Sequence, residues 1–182
     1  GVRRQSAIAD SIARHITKDS LSVDNLPVRL RLINPKDISL WTDFVNGCSQ
    51  KSLWLRFLSP FSATPERAQR FCNINPEEEI AVVAEMKDGD QYKFLGIARL
   101  IKNKHCEGEA EYAIIISDLW QNKSLGHTLS AQCIELARKE GYKTIRAETL
   151  QENYAMIRIF RHCDFTLDSK DENMVSMSLN LS

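Results

Sequence analysis

Between Glu109 and Gly126 the chain reads EAEYAIIISDLWQNKSLG, and this stretch gathers the residue types best suited to chemistry. A carboxylate precedes Ile114, Ile115 and Ile116, whose β-branched side chains suit a buried, pleated strand. Ser117-Asp118 stops that strand. Past Gln121-Asn122-Lys123-Ser124-Leu125-Gly126, the spacing of Leu125, Leu129, Cys133 and Leu136 predicts an amphipathic helix. A strand that feeds a tight turn and then a helix start leaves backbone N–H groups free above the turn. With the positive end of the helix dipole, those donors form an anion site suited to phosphates.

Other chemistries find little support. His15, His105, His127 and His162 are scattered, and His105-Cys106 lacks further ligands at zinc spacing, so no metal site is expected. There is no Gly-x-Ser-x-Gly elbow for a serine hydrolase. Lys and Arg number 24 against 24 Asp and Glu, so no global field favours nucleic acid, membranes or acidic polymers. Trp41 and Trp54 lie among apolar residues and are expected in the core rather than as stacking platforms. Cys48, Cys72, Cys106, Cys133 and Cys163 show no metal-ligand spacing. Free buried thiols suit a reducing, cytoplasmic setting. No apolar run approaches the ~20 residues that cross a bilayer.

The 182 residues, 43% of them hydrophobic, suffice for one domain. Gly1 stands where Met would, which suggests a tag remnant or an excised fragment. Residues 5 to 18 carry Ile8, Ile12 and Ile16 on a thin helical stripe, and Lys18 to Asn25 reads as a linker. Residues 1–26 are therefore expected to be an extension and 27–182 the main domain. Val28 to Leu32 alternates as a half-buried strand. Asn34 and Pro35 open a helix with Ile38, Trp41, Phe44, Val45 and Cys48 on one stripe. Ser52 to Phe57 reads as a helical turn, and Thr64-Pro65-Glu66 starts a further helix running to Cys72. Ile80 to Glu85 and Tyr92 to Ile101 are strands joined by a hairpin turn at Lys87 to Asp90. Gly141 marks the end of the central helix. Tyr142 to Leu150 is a strand, Asn153 caps a helix through Phe160, and Val175 to Asn180 alternates as a last strand. The expected fold class is α/β, a mixed sheet sandwiched by helices.

This order of elements, with QNKSLG at its centre, resembles the GCN5-related N-acetyltransferase (GNAT) superfamily. Its pyrophosphate loop is written Arg/Gln-x-x-Gly-x-Gly/Ala, and Gln121 to Gly126 match it with Ser124 at the usual middle glycine. SLWLRFLSP (Ser52 to Pro60), LGIARL (Leu95 to Leu100), AEYAIII (Ala110 to Ile116) and AETLQENYAM (Ala147 to Met156) are similar to the acetyltransferase domain of Pat-type bacterial protein lysine acetyltransferases.

The resemblance implies acetyl-CoA as co-substrate and a site on this segment. Ile114 and Ile116 would offer main-chain groups to the pantetheine arm, as a sheet edge accepts a peptide. Gln121, Asn122, Lys123, Ser124, Leu125, Gly126 and His127 would wrap the pyrophosphate. Glycine is favoured where backbone nears a ligand or takes positive φ; Asn tolerates the left-handed region, and Ser can donate its hydroxyl. The catalytic glutamate of the Ala-Glu-Phe/Tyr-Ala pattern matches Glu111. A lysine ammonium holds its proton with a pKa of about 10.4, so a carboxylate must accept it, directly or through water, before the amine attacks. Burial beside apolar strands would raise that carboxylate's pKa; the bland alternative is a salt-bridged surface glutamate. Glu109 and Glu148 are the reserve candidates. Asn153 matches a pantetheine-contacting asparagine but is equally explained as an N-cap. Phe160 stands where many relatives have an acid tyrosine, and Asp164 replaces a usual glycine. The implied acceptor is a protein lysine, in the family's pattern on an acyl-CoA synthetase. A small-molecule amine is the alternative substrate, and a non-catalytic acyl-CoA sensor the alternative class.

Overall fold

Residues 1–16 and 21–182 are described by the structure, a computed structural model. Strand alternation and helical stripes of the described residues assemble into one eight-stranded sheet of order β1-β2-β3-β4-β5-β6-β8-β7. The strands are β1 (Leu21–Val23), β2 (Leu26–Leu32), β3 (Glu79–Asp88), β4 (Gln91–Lys102), β5 (Glu109–Ile116), β6 (Thr144–Leu150), β7 (Thr166–Lys170) and β8 (Met174–Asn180). All neighbours are antiparallel except β5 and β6. Helices α1 (Val2–Ala13), α5 (Leu125–Lys139) and α6 (Tyr154–His162) cover one face; α2 (Ile38–Gly47), α3 (Gln50–Phe57) and α4 (Pro65–Cys72) cover the other. Because both faces of β5 are covered, Ile114 and Ile116 enter one core and Ile115 the other, which explains an unbroken apolar run. Among the described residues, no helix is long and apolar enough to cross a membrane.

The start signals act as the local chemistry requires. Asn34 accepts from the Lys36 N–H while the Asp37 carboxylate accepts from the Asn34 N–H at 2.8 Å, a reciprocal cap on the short 3-10 turn before α2. Thr64 caps α4 through the Arg67 N–H at 3.1 Å. Gly89, at positive φ, turns β3 into β4, and Gly141, at φ +88°, follows α5. Leu125, Leu129, Cys133 and Leu136 are all buried against the sheet, and the Tyr112 hydroxyl donates to Ser130 Oγ at 2.9 Å to fix α5 on β5.

Several expectations change. Residues 21–23, read as linker, form β1. The two-residue Asp24-Asn25 turn has both φ angles positive, at 52° and 64°, as a tight hairpin needs, but it lacks the glycine that usually signals one. The helix expected over residues 5 to 18 runs from Val2 to Ala13; Thr17, Lys18 and the linker residues 19 and 20 lie outside the described residues. Ile12 and Val23 share a core with β2. Strand β7 went unread because all five of its residues are exposed, which leaves no buried face to alternate. Trp41 is buried, but Trp54 is 46% exposed on the outer side of α3.

A buried ionic network locks α2 to the sheet. Glu85, 1% exposed, accepts from the Arg29 Nε at 2.8 Å and the Arg31 Nε at 2.9 Å. Arg31 also reaches both Asp37 oxygens at 2.8 Å, a fork-to-carboxylate geometry. Arg31→Leu would leave Asp37 buried without its cation and is expected to lower stability by about 3 kcal/mol. A urea-unfolding midpoint close to the parent's would contradict that role.

Candidate active site

The site begins where two strands part. β5 and β6 pair only through Glu109–Glu111 with Thr144–Arg146; beyond them β5 stays with β4 to Ile116 and β6 with β8 to Leu150. A crevice of about 330 Å³ fills the gap. It runs from α3, with Ser52, Leu55 and Arg56, past Tyr112 to Ile116, to the first turn of α5 and one side of α6.

Main-chain parity decides what β5 offers. The Ser117 N–H donates to the Leu95 carbonyl and the Asn103 N–H to the Glu109 carbonyl, each at 2.9 Å. Bonded and non-bonded residues alternate along an antiparallel pair. The odd-numbered residues of β5 therefore spend their groups on β4, and Tyr112, Ile114 and Ile116 turn theirs toward the gap. Ile114 has no strand partner there, so its N–H and carbonyl form an open edge. The Ile116 carbonyl is already taken, by Gln121 Nε2 at 2.9 Å.

Gln121 has a larger role than the loop motif suggests. Its Nε2 also donates to Ser52 Oγ at 2.9 Å, and Ser52 Oγ donates to Asp118 Oδ2 at 3.1 Å. Asp118 further accepts from the Ser49 N–H at 2.9 Å and the Ser49 hydroxyl at 2.7 Å, while Ser49 caps α3. This knot joins the loop after β5 to the start of α3. Ser49, Ser52 and Asp118 were not singled out as site residues, because no local motif links positions so far apart in sequence.

The turn itself has the expected conformation. Asn122 takes φ +60°, the left-handed region that Asn tolerates. Ser124 sits at the N-cap of α5 with no side-chain capping bond, and among the described residues its hydroxyl has no partner. The first intrahelical bond is from the Thr128 N–H to the Ser124 carbonyl at 2.9 Å, which leaves the Gly126 and His127 N–H groups without helical acceptors. Leu125 is fully buried and does not line the crevice. A Cβ on residue 126 would come within 2.6 Å of Ile159 Cδ1, so glycine lets α6 close on the first turn. Lys123 lines the crevice and pairs with Asp24 at 3.3 Å, an exposed contact of little strength. His127 Nδ1 lies 3.7 Å from Cys163 Sγ, a thiol whose pKa burial pushes up.

Asn153 acts as the expected N-cap and also stands at the crevice. It caps α6 through the Met156 N–H at 3.3 Å, donates to Thr149 Oγ1 at 3.2 Å, and lines the crevice. Phe160 is buried beside it, edge-on to Tyr112. Asp164 closes the end of α6. It takes φ +69° just past α6, its N–H donates to the Arg161 carbonyl at 3.0 Å, and the Phe165 N–H donates to the Phe160 carbonyl at 2.9 Å. That is a Schellman closure, sealed by the Phe160–Phe165 contact, with Asp at the usual glycine position.

The carboxylates are arranged differently from expectation. Glu111 is exposed rather than buried and does not line the crevice, because its side chain leaves the strand on the face opposite Tyr112. Glu109 is buried and bonded to Asn103 Nδ2, fastening the β4–β5 loop. Among the carboxylates of the described residues, Glu148 alone lines the crevice. It shares the face of Arg146, the register partner of Glu111, two residues farther toward the gap. Arg158 and His162 also line the crevice, although in the sequence Arg158 looks like the polar flank of a surface helix and His162 like one of four scattered histidines.

The family model described as acetyltransferase (GNAT) domain matches residues 28–166. A Pseudomonas aeruginosa protein named as an acetyltransferase is 26% identical over 134 residues, 73% of this chain and 72% of its own. The crystal structure of the GNAT domain of S. lividans PAT superposes with a TM-score of 0.81 at 21% identity, covering 92% of this chain and 98% of that one. Spermidine N-acetyltransferase from Vibrio cholerae, solved with CoA and spermine, gives 0.70 at 18% identity, covering 85% and 95%. At these identities the two structural likenesses establish the fold.

The knot at Asp118 has a pH signature. Partial burial raises its pKa, but the bonds from Ser49 and Ser52 outweigh burial and hold the carboxyl below its usual value. The stability it contributes is therefore complete above the unfolded pKa of about 3.9 and is lost as pH falls through the lower folded value. Urea unfolding of the parent and Asp118→Asn should give a steady difference above about pH 5 that closes in acid. A difference that does not vary with pH would assign the loss to something other than this carboxylate.

Proposed function

The chain belongs to the GNAT acetyltransferase family, and from that membership we propose that it transfers the acetyl group of acetyl-CoA to the side-chain amine of a protein lysine. The observation that carries this reading is the crevice at the strand divergence, with main-chain donors at one end and a carboxylate-bearing face at the other.

The residues present fit a nucleotide-linked thioester. The Gly126 and His127 N–H groups, the Ser124 hydroxyl and Lys123 suit a pyrophosphate. The Ile114 edge suits the amides of a pantetheine arm, and Asn153 stands beside it. The amine enters from the α3 side, over Leu55 and Arg56. A carboxylate there takes its proton, the freed lone pair attacks the thioester carbonyl, and the thiolate departs. A thiol pKa near ~8.5 makes thiolate a tolerable leaving group without a tyrosine acid, which is compatible with Phe160.

Two carboxylates can serve as base. The Ala-Glu-Tyr-Ala resemblance favours Glu111, which from its exposed position acts through water. Glu148 lines the crevice and reaches the amine without an intermediary. The likeness to the S. lividans PAT domain supports a protein acceptor, with a lysine of an acyl-CoA synthetase as the natural first trial. The exposed Glu111 and Glu148 also suit a polycation, and the Vibrio cholerae neighbour was solved with spermine, which keeps a small polyamine as the second reading.

A thiol-release assay with acetyl-CoA separates these readings. Acyl-CoA synthetases, lysine peptides and polyamines are the acceptors to compare. Glu111→Gln and Glu148→Gln should differ: the true base loses about 10²- to 10⁴-fold in kcat while coenzyme affinity holds. Coenzyme binding with no thiol release on any acceptor would point instead to a sensor domain.

A further inference from the structure

The crevice holds more positive charge than a pyrophosphate cradle needs. Ala155, Arg158, Ile159 and His162 line it from α6 at spacings of three and four residues, one stripe of the helix. Among the described residues the Arg158 and His162 side chains make no hydrogen bond or ion pair. Ile159, between them on that stripe, is the residue that packs against Gly126 in the first turn of α5. The two basic side chains therefore flank the point where α6 touches the phosphate cradle. His127 faces them from α5, its ring centroid 6.3 Å from that of His162. The Cys163 thiol sits at Nδ1 of His127, which leaves Nε2 free to meet a ligand. Among the described residues no carboxylate lines this end, since Glu148 belongs to the β6 side.

We propose that Arg158 and His162, with His127 opposite, form a second anion subsite that binds the ribose 3′-phosphate of coenzyme A. The inference rests on the coenzyme reading given above. It adds that this enzyme discriminates by the phosphate farthest from the reacting thioester. A charged fork and an imidazole one turn apart can share the oxygens of a single terminal phosphate, while the α5 amides hold the pyrophosphate.

Calorimetric titration with CoA and with 3′-dephospho-CoA tests this without knowledge of the acceptor. The parent should bind CoA roughly tenfold more tightly, a modest factor because Arg158 and His162 are exposed. In Arg158→Ala/His162→Ala the ratio should fall below about threefold through weaker CoA binding, and Arg158→Lys should keep part of it. Circular dichroism verifies that each variant is folded. Equal affinities in the parent would overturn the subsite and leave the coenzyme reading intact. A ratio unchanged in the double variant would overturn its assignment to these residues. Failure of the parent to bind either nucleotide would overturn both.

Discussion

Everything at the site follows from the end of one strand pairing. β5 and β6 are the parallel pair in the sheet, and they stay in register for three residues before each continues with its other neighbour. A parallel pair requires a crossover, and α5 supplies it. Its first turn stands directly above the point where the strands separate. The free edge of β5 and the free amides of α5 thus share one crevice. The sheet keeps its cores on both sides while losing one ladder locally, and the unmet main-chain groups are what a ligand can use.

A gap of this kind is held open by polar ties around its rim. Gln121, Ser52, Asp118 and Ser49 link the loop after β5 to the start of α3, across the two covered faces of the sheet. On the opposite side, the Schellman closure at Asp164 and the approach of Ile159 to Gly126 set the position of α6. These contacts explain a loop that departs from the glycine-rich form. Asn122 takes the left-handed residue, Ser124 presents its hydroxyl, and side-chain bonds provide rigidity. Farther away the Arg31–Asp37–Glu85 network ties the turn before α2 to β2 and β3.

The electrostatic layout divides the crevice into two ends. Lys123, His127, Arg158 and His162 line the crevice at the first turn of α5 and along α6, whereas Glu148 lines the β6 wall, Arg56 lines it from α3, and Glu111 lies on β5 outside the crevice. The formal balance of 24 basic and 24 acidic residues conceals this separation, because net charge says nothing about which residues the fold brings together.

Sequence alone determined the features that depend on near neighbours. The Ile114 to Ile116 run, the caps at Asn34, Thr64 and Asn153, the Gly141 stop and the helix stripe from Leu125 are all written within a few residues, where hydrogen bonding and periodicity act. The strand–turn–helix pattern pointed to an anion cradle, and the resemblance added its coenzyme. Tertiary structure alone decided which carboxylate faces the gap, that Glu111 is exposed, that Gln121 binds a carbonyl and a distant serine, and that α6 turns Arg158 and His162 inward. Residues 21–23 and 166–170 became strands for the same reason, since each is held by a partner strand rather than by a pattern of its own. The physical divide is range: local chain chemistry selects the elements, but the place where a ladder stops is a contest between strands far apart in sequence.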